Sequence, residues 1–486
     1  MLRAVLLAAL LVVAGCQAPT ASSSAGAQTD ATSPSEKVTA LSTTAGEQVI
    51  SPPDPATDRL GWENGYWYNE TLSANSTDGL NESELDAVAS RAMARIETIR
   101  EREFESTVPV SVINRSTYQN RSSRDRSDAF RRFDNGKFEA LFLIGEQTDS
   151  IAAQNDALSQ NVLGFYNTNR DEIVVVADSQ TPRLNGERIL AHELVHALQD
   201  QQFDLRQSIP RTRDGYQGRN ALVEGDATVV EQRYMARCGD EWSCLDESES
   251  RSNQSGDTHF GLNFLQFFPY SDGPGFVRQQ YRTGGWDAVD AAYEDVPDGA
   301  TEALYPERYP GWEPANVSID DRSNENWKRI RPMGRSGSDV VGQSAIGASL
   351  AYTVTDDYNT SRVVTPGAVV NYEGPVQINE SDPYNYDLAA ARGWTGGKMF
   401  VYENDGGELG YVWKTRWENA SEATEFARTW EQVIRHWGGQ RVSETVWRID
   451  DGPFEDAIRI ERRGATVTVV NAPTETQLTG VHETDA

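Results

Sequence analysis

The feature that most constrains this chain is Arg188-Ile189-Leu190-Ala191-His192-Glu193-Leu194-Val195-His196-Ala197-Leu198-Gln199-Asp200, an H-E-x-x-H pattern set in a helical apolar repeat. Leu190, Leu194, Ala197 and Leu198 form one stripe, so the stretch reads as a packed helix rather than one laid on a surface. Residues four apart stand one above the other on a helix, which lets His192 and His196 aim ring nitrogens at one ion. A packed helix also leaves its histidines in need of partners. The chain has five histidines in 486 residues, so two at this offset around a glutamate read as metal ligands. Glu193 follows the first ligand and is the candidate general base for a water at the metal.

A catalytic zinc takes three protein ligands and keeps a position for water. Downstream, Asn220-Ala-Leu-Val-Glu224-Gly-Asp-Ala-Thr-Val-Val-Glu231 reads as a second helix in which Glu224, Ala227, Thr228 and Glu231 share a face. Glu224 lies 28 positions after His196, room for a helix end, a loop through Ile209-Pro210 and a return. Glu231 is the competing carboxylate, and helical phase together with the Ala-Leu-Val-Glu-Gly context favours Glu224.

These two stretches together resemble the gluzincin zinc metallopeptidases, whose third ligand is a glutamate on the helix after the H-E-x-x-H helix. Position by position, the resemblance implies His192, His196 and Glu224 as ligands of a Zn2+ ion and Glu193 as the base of a metalloendopeptidase acting on a peptide or protein substrate. More closely, the chain is similar to a family of haloarchaeal surface lipoproteins and bacterial relatives. Phe268-Pro-Tyr-Ser, Gly284-Gly-Trp286, Thr301-Glu302 with Pro306-Glu-Arg-Tyr309, and Gly393-Trp-Thr-Gly-Gly397 resemble its later motifs, which extends the likeness over roughly residues 60–470. Thr228 departs from the pattern, standing where many gluzincins carry an aspartate that orients a ligand histidine. Asp200 or Asp226 is expected to take that role. Tyr305 stands where relatives have histidine, and Lys398 where they have an acid. An oxyanion donor is also needed, and Tyr305, Tyr309 and His259 are its candidates. The competing reading is a non-hydrolytic surface or adhesion lipoprotein that keeps a structural zinc.

Charge and the N-terminus bear on partners and compartment. The 44 basic and 74 acidic residues give a net charge of −30, with lysine only at positions 37, 137, 328, 398 and 414, which resembles proteins of extreme halophiles. A field of that sign repels nucleic acid at ordinary salt and excludes it as a partner. Met1-Leu-Arg3 precedes an apolar run, Ala4 to Ala14, that is too short to span a bilayer and has the form of a signal-peptide core. Val12-Val-Ala-Gly-Cys16 resembles a lipobox, so residues 1–15 are expected to be a leader and Cys16 a lipid anchor holding the chain outside the membrane. Residues 16–57, rich in Ser, Thr, Ala and Pro, read as a flexible linker. In an oxidising exterior Cys238 and Cys244 are expected to form a disulfide. Sequons occur at Asn69, Asn75, Asn81, Asn114 and Asn120 and recur at Asn253, Asn316, Asn359, Asn379 and Asn419, which suits a glycosylated surface protein.

The expected fold is α+β. A gluzincin-like core over residues 58–330 packs its active-site helix on a small mixed sheet, a helical and β extension over 331–474 completes the same body, and 475–486 is a tail. Residues 83–102, 129–143 and 420–437 read as helices, and 108–113, 398–402, 410–414 and 465–470 as strands. Leu163 to Tyr166 and Ile173 to Ala177 form a hairpin just before the metal helix, either an interior strand pair or an edge on which an extended peptide can lie.

Overall fold

A computed structural model of the chain describes residues 55–483 apart from 75–79, 123–125, 160–161, 178–185, 208, 246–258, 357 and 359–361. The leader, Cys16, nearly all of the linker and the sequons at Asn75, Asn253 and Asn359 lie outside the described residues.

The first half of the chain holds a small hairpin, β1 (Trp62–Glu63) and β2 (Tyr66–Trp67), followed by helix α1 (Glu82–Arg100) and strand β3 (Val110–Asn114). Helices α2 (Arg115–Ser122), α3 (Asp128–Ala140) and α4 (Ser150–Ser159) lead to strands β4 (Gly164–Asn167) and β5 (Glu172–Ala177). Three long helices come next, α5 (Arg188–Phe203), α6 (Arg213–Met235) and α7 (Phe260–Glu294), then α8 (Ala300–Leu304), β6 (Trp327–Arg329) and α9 (Gly342–Tyr352). The chain closes with β7 (Trp394–Asn404), β8 (Leu409–Trp417), α10 (Ala420–His436), β9 (Gln440–Arg441), β10 (Val446–Arg448), β11 (Ala457–Arg463), β12 (Thr466–Ala472) and α11 (Leu478–Val481).

The fold is α+β. Strands β6-β7-β8-β12-β11-β10-β9 form an antiparallel seven-stranded sheet, and β3-β5-β4 a smaller mixed one in which β3 runs parallel to β5. The largest apolar cluster runs from Leu80 and Val88 on the α1 side to Trp413 and Val469 in the large sheet, so residues beyond 330 share their interior with the helices before them. No helix among the described residues is long and apolar enough to cross a membrane.

Three features hold the metal-motif helix in place. The first is ionic. Glu187, at the start of α5, is fully buried and accepts hydrogen bonds from Arg91 Nη2 at 2.6 Å and Arg95 Nη1 at 2.9 Å on α1, with Leu245 N–H at 2.8 Å. Tyr234 of α6 donates its hydroxyl to the same carboxylate. Arg95 also reaches Ser243 O beside the Cys238–Cys244 disulfide, so one carboxylate ties α1, α5, α6 and that loop together. The second is the small sheet: β4 lies at its edge, and Tyr166 N–H, which faces away from β5, donates to Glu193 at 2.9 Å. That edge therefore presents a buried amide to the motif helix, where the sequence allowed it to lie open to a peptide.

The third is backbone contact between α6 and α7. A Cβ on Gly225 would sit 2.4 Å from the Gly273 carbonyl, and one on Gly273 2.3 Å from Ala221 O. Only glycine lets the helices approach this closely, which sets α7 and its Tyr270 against the helix carrying Glu224.

Several boundaries differ from expectation for local reasons. Helix α6 starts at Arg213 rather than Asn220 because Thr212 caps it, its hydroxyl accepting from Gly215 N–H. Helix α7 was hidden by Pro269, Pro274 and the non-helical kink at Gly284 and Gly285. Asn81 and Asn419 cap α1 and α10, while Asn114 and Asn379 accept backbone N–H groups in turns, so four sequons have a capping role in the fold.

Candidate metal centre

His192 and His196 lie on one face of α5, and α6 returns antiparallel across it. His192 meets Glu224 and Glu231 of α6, while Gln199, two turns on, meets Val223. The ligating atoms of His192, His196 and Glu224 all fall within 4.8 Å of one another, and all three residues are buried. Glu224 Oε2 stands 3.3 Å from His192 Nε2 and 3.2 Å from His196 Nε2. Tetrahedral zinc with bonds of about 2.0–2.1 Å separates its ligand atoms by about 3.3 Å, so this donor set fits the ion.

The outer nitrogens explain why the inner ones are available. Gln199 Nε2 donates to Val223 O at 3.0 Å and to Asp226 Oδ2 at 3.3 Å, which fixes the amide with Oε1 toward His196 Nδ1 at 2.9 Å. An amide oxygen only accepts, so Nδ1 carries a proton and Nε2 is the nitrogen directed at Glu224. Across the site His192 Nδ1 lies 3.1 Å from Glu231 Oε2, whose other oxygen takes Arg188 Nη1 at 2.8 Å.

The orienting roles expected of Asp200 and Asp226 therefore change. Asp200 touches neither histidine; it accepts from Tyr166 hydroxyl at 3.1 Å and Leu205 N–H at 2.8 Å. Asp226 acts one step removed, through Gln199, and is itself held by Arg100 Nε at 3.1 Å and Tyr293 hydroxyl at 2.9 Å. Glu231, one turn beyond Thr228, supplies the carboxylate that the sequence lacked at position 228. Removing such an outer partner costs metal affinity about 10–100-fold. Glu231→Ala is accordingly expected to weaken zinc binding by that factor, read by competition with a chromophoric chelator, and unchanged affinity would contradict the assignment.

Electrostatics follow from burial. Burial alone would lower His192, but its hydrogen bonds to Glu224 and Glu231 overcome this and lift it to about 10. Burial would raise Glu224, and the two imidazoles, His196 foremost, instead bring it down to about 2. Burial raises Glu193, with His196 and His192 partly offsetting it. Glu193 Oε2 accepts from Tyr166 N–H, whereas Oε1 is buried with no hydrogen-bond partner among the described residues. A buried carboxylate oxygen left so is costly unless something fills its place.

A cleft of about 340 Å³ opens along α6 and reaches Glu224 and Tyr270. The Tyr270 ring stacks on His192 with centroids 6.3 Å apart. The three oxyanion candidates lie elsewhere: none of them lines this cleft. Tyr305 hydroxyl donates to Asp387 at 2.5 Å and accepts from Gln343 Nε2, Tyr309 hydroxyl donates to Asp295 O, and His259 caps α7 while bonding Leu143 O. Tyr270, by contrast, sits in the Phe268-Pro-Tyr-Ser motif and faces the site.

Residues 328–482 match a domain of unknown function (DUF8575). No curated protein and no solved structure matches the chain. The matched span covers the large sheet and α9 to α11 and stops short of every residue of the metal cluster.

Proposed function

We propose that this chain is a cell-surface zinc metalloendopeptidase of gluzincin type, held at the membrane by a lipid on Cys16. The observation that carries the reading is the convergence of His192, His196 and Glu224 ligand atoms within 4.8 Å, with both Nε2 atoms 3.2–3.3 Å from one Glu224 oxygen, beside a buried Glu193 oxygen and at the end of a cleft. Zinc held by His192, His196 and Glu224 would supply Lewis acidity toward a peptide carbonyl and a more acidic water. Glu193 Oε1 takes the proton of the attacking water and passes it to the leaving amine, while Tyr166 N–H keeps Oε2 from rotating away. Gln199 and Glu231 hold the imidazoles at their outer nitrogens. Tyr270 is assigned as the oxyanion donor in place of Tyr305, from its position in the cleft over His192.

The near-complete burial of the cluster favours a second reading, a structural metal in a surface protein that hydrolyses nothing. Cleavage separates the two. The full chain is expected to cleave a mixed peptide pool, to stop when a zinc chelator is added, and to resume when Zn2+ is restored. A chain that binds zinc and leaves every peptide intact favours the structural reading.

A further inference from the structure

The cleft that ends at the metal cluster has a direction and a charge. Arg213, Tyr216, Gln217, Asn220 and Glu224 recur every three or four residues along α6 and all line it, so one face of this helix is its floor. Arg213 and Glu224 stand eleven positions apart on the helix, about 16 Å at 1.5 Å per residue. An extended peptide covers that length with about five residues.

The end remote from the metal is cationic in a chain whose net charge is −30. The cleft is lined by Arg126, Lys137, Arg211, Arg213 and Arg335, against three carboxylates. Lys137 is already neutralised, standing 2.6 Å from Asp134 and 3.2 Å from Asp339, and Glu224 belongs to the metal cluster. Arg211 and Arg335 have no carboxylate partner among the described residues. Each instead hydrogen-bonds backbone: Arg211 Nη1 donates to Gly334 O at 2.8 Å, and Arg335 Nη1 to Arg211 O at 3.4 Å. Arg335 lies over the Phe130 ring at 4.9 Å, with Arg126 on the same ring at 5.3 Å. Both Arg211 and Arg335 are exposed, and the amino end of α6 beside them adds its own positive field. Guanidinium groups fixed by carbonyls and an aromatic face, with N–H groups left over, are built to take a carboxylate.

We infer that this cleft binds an extended acidic peptide segment, with Arg211 and Arg335 pairing a substrate carboxylate about five residues from the position over Glu224. The inference rests on the peptidase reading for what happens at the metal, but binding is separable from turnover. It also runs against the field of the whole protein, which by itself would draw basic peptides and repel acidic ones. At about 0.15 M salt the Debye length is about 8 Å, so the local arginines outweigh distant carboxylates.

The test uses the full chain carrying Glu193→Gln, so that bound peptide is not consumed. Three labelled peptides of about ten residues share a neutral centre and carry aspartate and glutamate, serine and glutamine, or lysine and arginine on the flanks, and binding is read by fluorescence anisotropy. The acidic peptide is expected to bind at least about tenfold more tightly than the basic one, and Arg211→Glu with Arg335→Glu to reverse that order. The peptide series needs no surface variant, so a misfolded double variant would not blunt it. Tighter binding of the basic peptide, or acidic binding indifferent to the double substitution, overturns the inference. Wild-type cleavage tells the two readings apart. Hydrolysis at equal kcat/KM for all three peptides overturns the acidic preference and leaves the peptidase reading standing. Acidic binding that is lost on charge reversal, with no peptide cleaved, upholds the cleft and removes the peptidase.

Discussion

Glu193→Gln is expected to lower peptide hydrolysis by about 10²–10⁴-fold while leaving zinc bound at the wild-type level. The substitution is nearly isosteric. A glutamine oxygen still accepts from Tyr166 N–H, which in the wild type reaches Glu193 Oε2 at 2.9 Å. What changes is the other atom: Oε1, buried and without a hydrogen-bond partner among the described residues, becomes an amide nitrogen that cannot take a proton. The ligand atoms of His192, His196 and Glu224 are untouched, so metal content and rate part company. Undiminished turnover would remove Glu193 as the base. Loss of zinc in this variant would instead make it part of what holds the site together.

Glu187→Ala is expected to cost about 3–5 kcal/mol of stability, the penalty for stranding buried charge. Glu187 is the only acid that the buried Arg91 and Arg95 guanidinium groups share among the described residues, at 2.6 and 2.9 Å. Removing it leaves two buried cations, the Tyr234 hydroxyl and the Leu245 amide without their acceptor at the junction of α1, α5 and α6. Because α5 begins at the next residue, the motif helix loses its anchor along with the energy. Urea unfolding measures the effect, and a loss below about 1 kcal/mol, the worth of an exposed pair, would show that the network is not structural.

What the sequence made legible was the part of the site that lives on single helices. The four-residue offset of His192 and His196 is a property of one helix, and the phase of Glu224 a property of the next. The α+β class, the helices near 82–100, 128–140 and 420–436 and the strands near 110–114, 164–177 and 394–417 follow from periodicity in the same way, whereas the short helices α2 and α4 were not read. The partners across helices were not legible. Gln199 and Glu231 act on the histidines only because α6 returns antiparallel to α5 in one register, and nothing in either helix alone sets that register. The choice of Asp200 failed for this reason: it lies one turn beyond His196, yet its carboxylate turns to Tyr166 and Leu205. Tyr305 failed because resemblance placed it in a motif without showing that Asp387 already holds its hydroxyl. Strand β11 escaped notice because the alternation of Ile458 and Ile460 with Arg459 and Glu461 is short and stops at Arg462 and Arg463, although both isoleucines are buried.

We propose that His192, His196 and Glu224 together hold one zinc ion. Elemental analysis of the purified full chain after dialysis, beside Glu224→Ala handled identically, tests it most directly. One zinc per wild-type chain is expected, with most of it lost from the variant. Equal zinc in both proteins, or none in the wild type after incubation with the metal, would contradict it.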